Sequence, residues 1–247
     1  MNKQQIIDIA LKELKNPTNE WSIILLETHT FIEENGKIKI TRIDLDAFNY
    51  KNDKIAIVYV PVKDERFHFA ICVDIHLKKV NGIYTESWNR VNFSAMSKTY
   101  SGEVLKSFTK IEPTKIRNKG DVAIKGSSIK YNYSSLTISI DSYPESVLEK
   151  IKKLVNILKT DTEGVQKLVE KANASISVVI EYHIGTGNLG ELSLNASLIS
   201  EISNLEVPIG FHFLASGKTM PTPIEKEYIN STKRNGNTQK RNKKNSS

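Results

Sequence analysis

The sequence has almost no cysteine, and this scarcity excludes two classes of protein. Its 247 residues include one cysteine, Cys72, so no disulfide can form within the chain. A zinc site built on several thiolates is excluded for the same reason. Cys72 lies in the apolar run FAICV at residues 69–73, which is typical of a small buried side chain rather than of a reactive thiolate.

Long apolar runs are also missing. A membrane-spanning helix needs about 20 apolar residues, whereas the longest runs here are Ile23 to Leu26 and Ile55 to Val62. The first eight residues contain neither the apolar segment nor the cleavage site of a secretory signal. These absences predict a soluble cytoplasmic protein that has no membrane as a partner.

Acidic residues are missing from the last 20 positions, 228–247. Six basic residues lie there: Lys233, Arg234, Lys240, Arg241, Lys243 and Lys244. They account for six of the seven net positive charges, so the remainder of the chain is close to neutral. Because this segment is rich in Asn and Ser and has few apolar residues, we expect a disordered basic tail over residues 219–247. Its cations could contact nucleic acid or another anionic surface, but the lack of stacking aromatics favours a merely solvated end.

The pattern of the first 88 residues predicts a β-rich N-terminal domain with one leading helix, Lys3 to Lys15. About five mostly antiparallel strands follow, because the connections are short. Strand-like segments run from Trp21 to Ile32, Lys37 to Leu45 (with a bulge near Thr41), Lys54 to Val62, and Phe67 to Ile75. The dipeptides Asn35-Gly36 and Asn81-Gly82 each predict a two-residue hairpin turn.

Residues 89–218 are predicted to have a different order of elements, in which strands alternate with helices. The clearest helix is Pro144 to Lys159, whose apolar residues recur at helical spacing. Further strands are expected at Val91 to Met96, Ile129 to Ile140, Ala174 to Ile184, and Val207 to Leu214. The whole chain therefore predicts an α+β fold of mostly antiparallel sheets with a few packed helices. Its second half is predicted to be a ferredoxin-like or similar two-layer sandwich.

The second half also carries motifs in a recognisable order. The sequence Ile-Glu-Pro-Thr at residues 111–114 precedes Lys-Gly-Asp at 119–121, and the long helix then leads to the strand Ile176 to Tyr182. With Leu-Ser-Leu at 192–194 and the last strand, this order resembles the bacterial family called domain of unknown function 4279, over about residues 89–216. Because that family has no assigned activity, the resemblance implies no catalytic residue, and residues 1–88 lie outside it.

Two constellations could carry chemistry. Residues 185–190, GTGNLG, have the spacing of a dinucleotide loop, but no helix is expected to begin at once, so a flexible connection is favoured. Pairs at i, i+2 place two polar groups on one strand face: Asp44 with Asp46, Asp74 with His76, and Glu181 with His183. If these pairs met in one pocket they could hold a divalent metal and activate water. If they do not meet, they are solvated strand faces.

The sequence therefore favours a non-enzymatic protein-binding or inhibitor module, comparable to an immunity protein or a phage-encoded antagonist. No catalytic, cofactor-binding or metal-binding residue is assigned, no cofactor is expected, and the partner is expected to be another protein. Two alternatives stay open: a metal-dependent hydrolase or nuclease that uses the acid/His pairs, and non-specific nucleic-acid binding through the tail.

The tail alternative makes a simple prediction. Removing residues 228–247 should abolish any binding to a fluorescent single-stranded oligonucleotide, because six cations that release counterions are lost. Fluorescence anisotropy over a series of salt concentrations measures this effect. Binding that keeps its affinity and salt slope in the truncated protein would contradict the assignment to the tail.

Overall fold

The computed structural model describes residues 1–50, 53–140, 144–185 and 192–219. Over these ranges the chain has the predicted α+β fold, in which mostly antiparallel sheets pack against a few helices. The six basic residues of the tail and the loop residues 186–191 lie outside the described residues. The predictions made for them stay predictions.

The chain begins with two helices rather than the predicted one. Helix α1 (Lys3–Lys15) is as expected, and it starts with a capping box between Asn2 and Gln5. Helix α2 (Glu20–Thr28) replaces the strand predicted from Trp21 to Ile32. Short apolar runs fit a buried helix and a strand equally well, so local capping decides between them.

Two contacts start helix α2. The side chain of Asn19 accepts a hydrogen bond from the Trp21 amide at 3.0 Å and so caps the helix. The buried carboxylate of Glu13, on α1, accepts hydrogen bonds from the amides of Thr18 and Asn19 at 2.8 and 2.7 Å. Helix α1 thus sets the direction of the connection from which α2 begins.

The first half continues with two antiparallel sheets. Strands β1 (Glu33–Glu34) and β2 (Lys37–Ile38) form a small hairpin. Its turn residues Asn35 and Gly36 both have positive φ, which confirms the predicted turn. The second sheet is a meander of β3 (Arg42–Tyr50), β4 (Asp53–Pro61), β5 (His68–Asp74) and β6 (Lys79–Glu86). The irregularity predicted near Thr41 instead lies within β3, between Asp44 and Phe48.

The hairpin turn predicted at Asn81-Gly82 is wrong, because both residues lie within β6. The chain turns at residues 75–78 instead, where the Asp74 carboxylate accepts hydrogen bonds from two backbone amides. Cys72 pairs with Gly82 and Val73 pairs with Val80, so Asn81 is the extra residue of a β-bulge. The Asn-Gly signal here marks a bulge rather than a turn.

The second half contains one five-stranded sheet and four helices among its described residues. In chain order its elements are β7 (Trp88–Ser97), α3 (Gly102–Lys106), β8 (Lys115–Arg117), β9 (Ser134–Ser139), α4 (Val147–Leu158), α5 (Thr162–Lys171), β10 (Asn173–His183), α6 (Ala196–Asn204) and β11 (Ile209–Ser216). The strand order is β11-β10-β7-β9-β8. The four strands from β10 to β8 pair antiparallel in βαββαβ order, which is the predicted ferredoxin-like arrangement. Helix α6 then adds β11, which lies parallel to β10.

The helices cover one face of this sheet. Helix α4 begins after Ser146, whose hydroxyl accepts a hydrogen bond from the Glu149 amide, so the predicted start at Pro144 is a few residues early. Leu154 and Leu158 of this helix are fully buried and belong to the same core as Phe93 of β7. A separate core lies between the first sheet and helices α1 and α2, within residues 6–83. The predicted domain boundary at residue 88 stays a prediction, although Ser87 alone separates β6 from β7.

The two halves meet along a seam beside the end of β10. Arg66 donates a hydrogen bond to the Glu181 carboxylate at 3.0 Å. The ring of His183 lies 4.6 Å from that of Phe67 and 4.9 Å from that of His29, measured between centroids. His29, which directly follows α2, is therefore buried.

Glycine 217 closes this seam and allows a matched test. Its φ is +99°, and a Cβ there would lie 2.6 Å from His183 and 3.2 Å from Phe67. Gly120 has a similar φ of +95°, but a Cβ there would meet nothing within 4 Å. We expect Gly217→Ala to lower the free energy of unfolding by about 2–4 kcal/mol and Gly120→Ala by about 1 kcal/mol, because only the first adds a clash to the backbone strain. Urea unfolding measures both, and equal losses would show that the seam tolerates the added methyl group.

Candidate recognition surface

Among the described residues, no helix packs on the second face of the five-stranded sheet. Side chains alternate along a strand, so when Val91 and Phe93 point into the core, Arg90, Asn92 and Ser94 point to the opposite face. Their exposures differ accordingly, because Val91 and Phe93 are fully buried and Arg90 is exposed. None of the described helices contributes to a hydrophobic core on this side. We call it the open face.

One part of the open face is a flat layer of hydroxyl and amide groups. The register places these side chains side by side on three neighbouring strands: Asn92 and Ser94 of β7, Thr137 and Ser139 of β9, and Ser175 and Ser177 of β10. Ser94 and Thr137 lie 3.4 Å apart between their hydroxyl oxygens. The Asn92 amide, oriented to satisfy both neighbours, donates to Ser139 and accepts from Arg90. These side chains are small and polar, and they are partly exposed.

The end of the open face nearest the first half is different, because an indole there lies between two guanidinium groups. The guanidinium carbon of Arg66 is 5.1 Å from the ring centroid of Trp88, and that of Arg90 is 5.8 Å away. Arg66 is 63% exposed along its side chain, although it also bonds to Glu181. Glu181 is buried and accepts a second hydrogen bond from Ser216 at 2.6 Å. We call Arg66, Trp88 and Arg90 the indole–guanidinium cluster.

This cluster has the composition of a protein recognition site. Tryptophan and arginine dominate the binding energy of many protein interfaces, because both combine a large contact area with directional polar groups. A guanidinium that stacks on an indole is held in place by cation–π attraction and still presents N–H donors at its edge. Two arginines against one buried carboxylate leave the cluster with a net positive charge.

The predicted acid/His pairs have other roles. Asp44 accepts a hydrogen bond from Arg42 at 2.6 Å and one from the Tyr59 hydroxyl at 3.2 Å, while Asp46 is exposed. Asp74 binds the backbone amide of His76 within the turn after β5, and the third pair is Glu181 and His183 at the seam.

These pairs do not meet as a metal site. Among the residues that the structure describes, no three His, Cys, Asp or Glu side chains are grouped so that they could hold a metal ion. Asp44, Asp74 and Glu181 instead accept hydrogen bonds from other groups of the protein. The metal-dependent hydrolase therefore stays a prediction, and the described residues offer no metal site to support it.

A second polar group, on the first sheet, was missed by the sequence patterns. Tyr59 of β4, His68 and Cys72 of β5 and Glu86 of β6 share the face of that sheet opposite α1 and α2, close to the start of α4. Burial raises the pKa of Tyr59, raises that of the Cys72 thiol to about 11, and raises that of Glu86. Burial and the nearby Lys150 lower the pKa of His68 to about 4.

Tyr59, Cys72 and His68 are therefore neutral at neutral pH, and none of the three is an ionised nucleophile. The thiol of Cys72 has the inert environment that the apolar run predicted, although the side chain is half-buried rather than fully buried. The apolar run of β4 predicted that Tyr59 is buried. It could not show which side chains of β5 and β6 lie beside Tyr59, because the register between strands decides that.

The lowered histidine pKa values predict a loss of stability in acid. Burial lowers the pKa of His29, His68 and His183 in the folded protein, so the unfolded chain takes up their protons first. The free energy of unfolding should therefore fall as the pH decreases from about 6.5 towards 4.

Substituting His68 isolates its share of this loss. We expect His68→Gln to reduce the loss over this range by about 1–3 kcal/mol, as measured by urea unfolding at several pH values. The exposed His76 provides the control, because His76→Gln should leave the profile unchanged. A His68→Gln profile equal to that of the wild type would contradict the burial argument.

Comparison with known proteins identifies the family of the chain. The model of the family described as domain of unknown function (DUF4279) matches residues 86–216, and the protein belongs to this family. The match includes all five strands of the second sheet and confirms the resemblance expected for residues 89–216. No curated protein matches the chain significantly, and no solved structure does so. Within the described residues, every helix is too short or too polar to cross a bilayer.

Proposed function

We propose that the protein is a non-enzymatic binding module, immunity-like or a phage-type antagonist, that recognises an acidic surface of another protein with the open face of its second sheet. The observation that carries this proposal is the indole–guanidinium cluster, in which Trp88 lies between Arg66 and Arg90. A carboxylate of the partner would receive N–H donors from guanidinium groups that are already oriented by stacking.

The surroundings of the cluster support a protein partner rather than a small ligand. Arg66 and Arg90 are exposed, and the hydroxyl-rich layer extends from the cluster across three strands of the sheet. Broad, level surfaces with a few aromatic and arginine anchors are typical of protein interfaces, whereas small molecules are bound in concave sites. Asp44, Asp74 and Glu181, which could support catalysis, accept hydrogen bonds within the fold.

Affinity capture from native lysate, with variants of the cluster, tests this proposal. We expect the wild-type protein to capture one stoichiometric partner, and Trp88→Ala or Arg90→Glu to reduce its recovery at least tenfold, as hot-spot residues do. Quantitative mass spectrometry of the captured proteins gives the recovery. Thermal unfolding of each variant establishes that it is folded.

The chain offers a matched control for each variant. Its other tryptophan, Trp21, is 57% exposed on α2, so Trp21→Ala removes an exposed indole away from the open face. The ammonium of Lys167, on the exposed side of α5, lies 4.9 Å from the ring centroid of Phe108, so Lys167→Glu reverses the charge of a different cation that stacks on an aromatic ring, away from the open face. Both controls should capture the partner as the wild type does. If no stoichiometric protein is captured, or if all four variants capture it equally, the proposal is wrong.

A further inference from the structure

Strand β11 ends the second sheet with one edge that is not paired. It lies parallel to β10 on one side, and no other strand among the described residues pairs with it on the other side. Phe213 is 54% exposed and Leu214 is 49% exposed, although both are large apolar residues. An exposed apolar edge strand offers its backbone groups to another strand.

The register shows which backbone groups are free to pair. The amide of Ile176 donates to Pro208 at 2.8 Å, and that of Ile184 donates to Ser216 at 2.7 Å. In a parallel ladder each strand directs alternate residues at its neighbour, so the even-numbered residues of β11 bond to β10. The amide and carbonyl groups of its odd-numbered residues are directed away from the sheet: Ile209, Phe211, Phe213 and Ala215.

Strand β11 lacks the charged residues and prolines that usually prevent edge strands from pairing. From Val207 to Gly217 the chain has no Lys, Arg, Asp or Glu, and no proline lies within β11 itself. Charged residues and prolines on edge strands are the usual protection against association of two sheets. An uncharged strand can pair with a copy of itself without repulsion between like charges.

The charges that flank β11 also favour a second copy. Exposed Glu206 precedes the strand and exposed Lys218 follows it. In an antiparallel pair of identical strands with His212 on the two-fold axis, the acidic end of each strand lies beside the basic end of the other. The same register pairs all four outward residues, since Ile209 faces Ala215 and Phe211 faces Phe213 of the other copy. The two cross-strand phenylalanine pairs add packing to the hydrogen bonds.

We propose that the protein forms a two-fold symmetric dimer through antiparallel pairing of β11 with β11 of a second copy, which joins two five-stranded sheets into one of ten strands. The pairing is isologous, so it closes at two copies and does not propagate. It does not depend on the proposed recognition of an acidic partner, because the indole–guanidinium cluster lies on β7 and the segment before β5. It does extend the open faces of both copies into one surface.

The first measurement is the mass of the full chain in solution by sedimentation velocity over a range of micromolar concentrations. We expect twice the chain mass of 27.9 kDa. If the wild-type protein stays monomeric over this range, the proposal is wrong, whatever occupies the edge of β11.

A proline substitution tests the outward backbone groups. Ala215 has an outward amide that bonds to nothing in β10, so Ala215→Pro removes a donor needed only by the dimer. Ala215→Ser retains the amide and is the control. We expect the proline variant to be folded by circular dichroism and monomeric, and the serine variant to be dimeric. A dimeric proline variant would mean that another surface joins the copies.

Opposite charges introduced at His212, on the two-fold axis, test the register of the pairing. This test does not depend on the Ala215→Pro variant. His212→Lys and His212→Glu each place like charges opposite one another, so each variant alone should be monomeric. When the two are mixed, opposite charges meet and the heterodimer should form, with the mass of two chains. If the separate variants dimerise as the wild type does, or if the mixture stays monomeric, the register about His212 is wrong.

Discussion

The alternation of side chains along the central strands β7 and β10 is the constraint on which the rest of the second half depends. From Val91 to Ala95 and from Ala174 to Ile180, every second residue is apolar and lies under the helices, as Phe93 and Ile176 do. Most residues between them, such as Asn92 and Ser177, are polar and are too small to bury a second layer of helices. Because one face can form a core and the other cannot, the sheet has a covered side and an open side.

The indole–guanidinium cluster at the end of the open face includes a residue from the first half of the chain. Trp88 opens β7, directly after the strand that belongs to the first sheet, and Arg66 comes from the segment before β5. The seam residues Phe67 and His183 fix the position of this segment against the end of β10. The indole–guanidinium cluster is therefore a joint product of both halves, although the family match covers only the second.

The acids and imidazoles illustrate how a suggestive spacing can serve stability. Asp74 caps a turn, Glu181 ties two segments together, and Asp44 joins an arginine to a buried tyrosine. Each of these roles requires a carboxylate with hydrogen-bond partners, as buried polar groups generally do. Polar residues at i, i+2 report that a strand has a polar face, and contacts from other elements decide what that face does.

The sequence by itself determined the features that depend on neighbouring residues. The α+β class, the long amphipathic helix, the Asn35-Gly36 turn and the family of the second half are all local patterns that the structure and the comparison confirm. The start of α2 is also set by neighbouring residues, namely Asn19 and the Glu13 carboxylate, although the apolar run by itself fits a strand equally well. Only the tertiary structure decided that Asn81 is a bulge and that Trp88 meets two arginines. Strand register and contacts between distant segments control these outcomes, and neither is encoded in the spacing of adjacent residues.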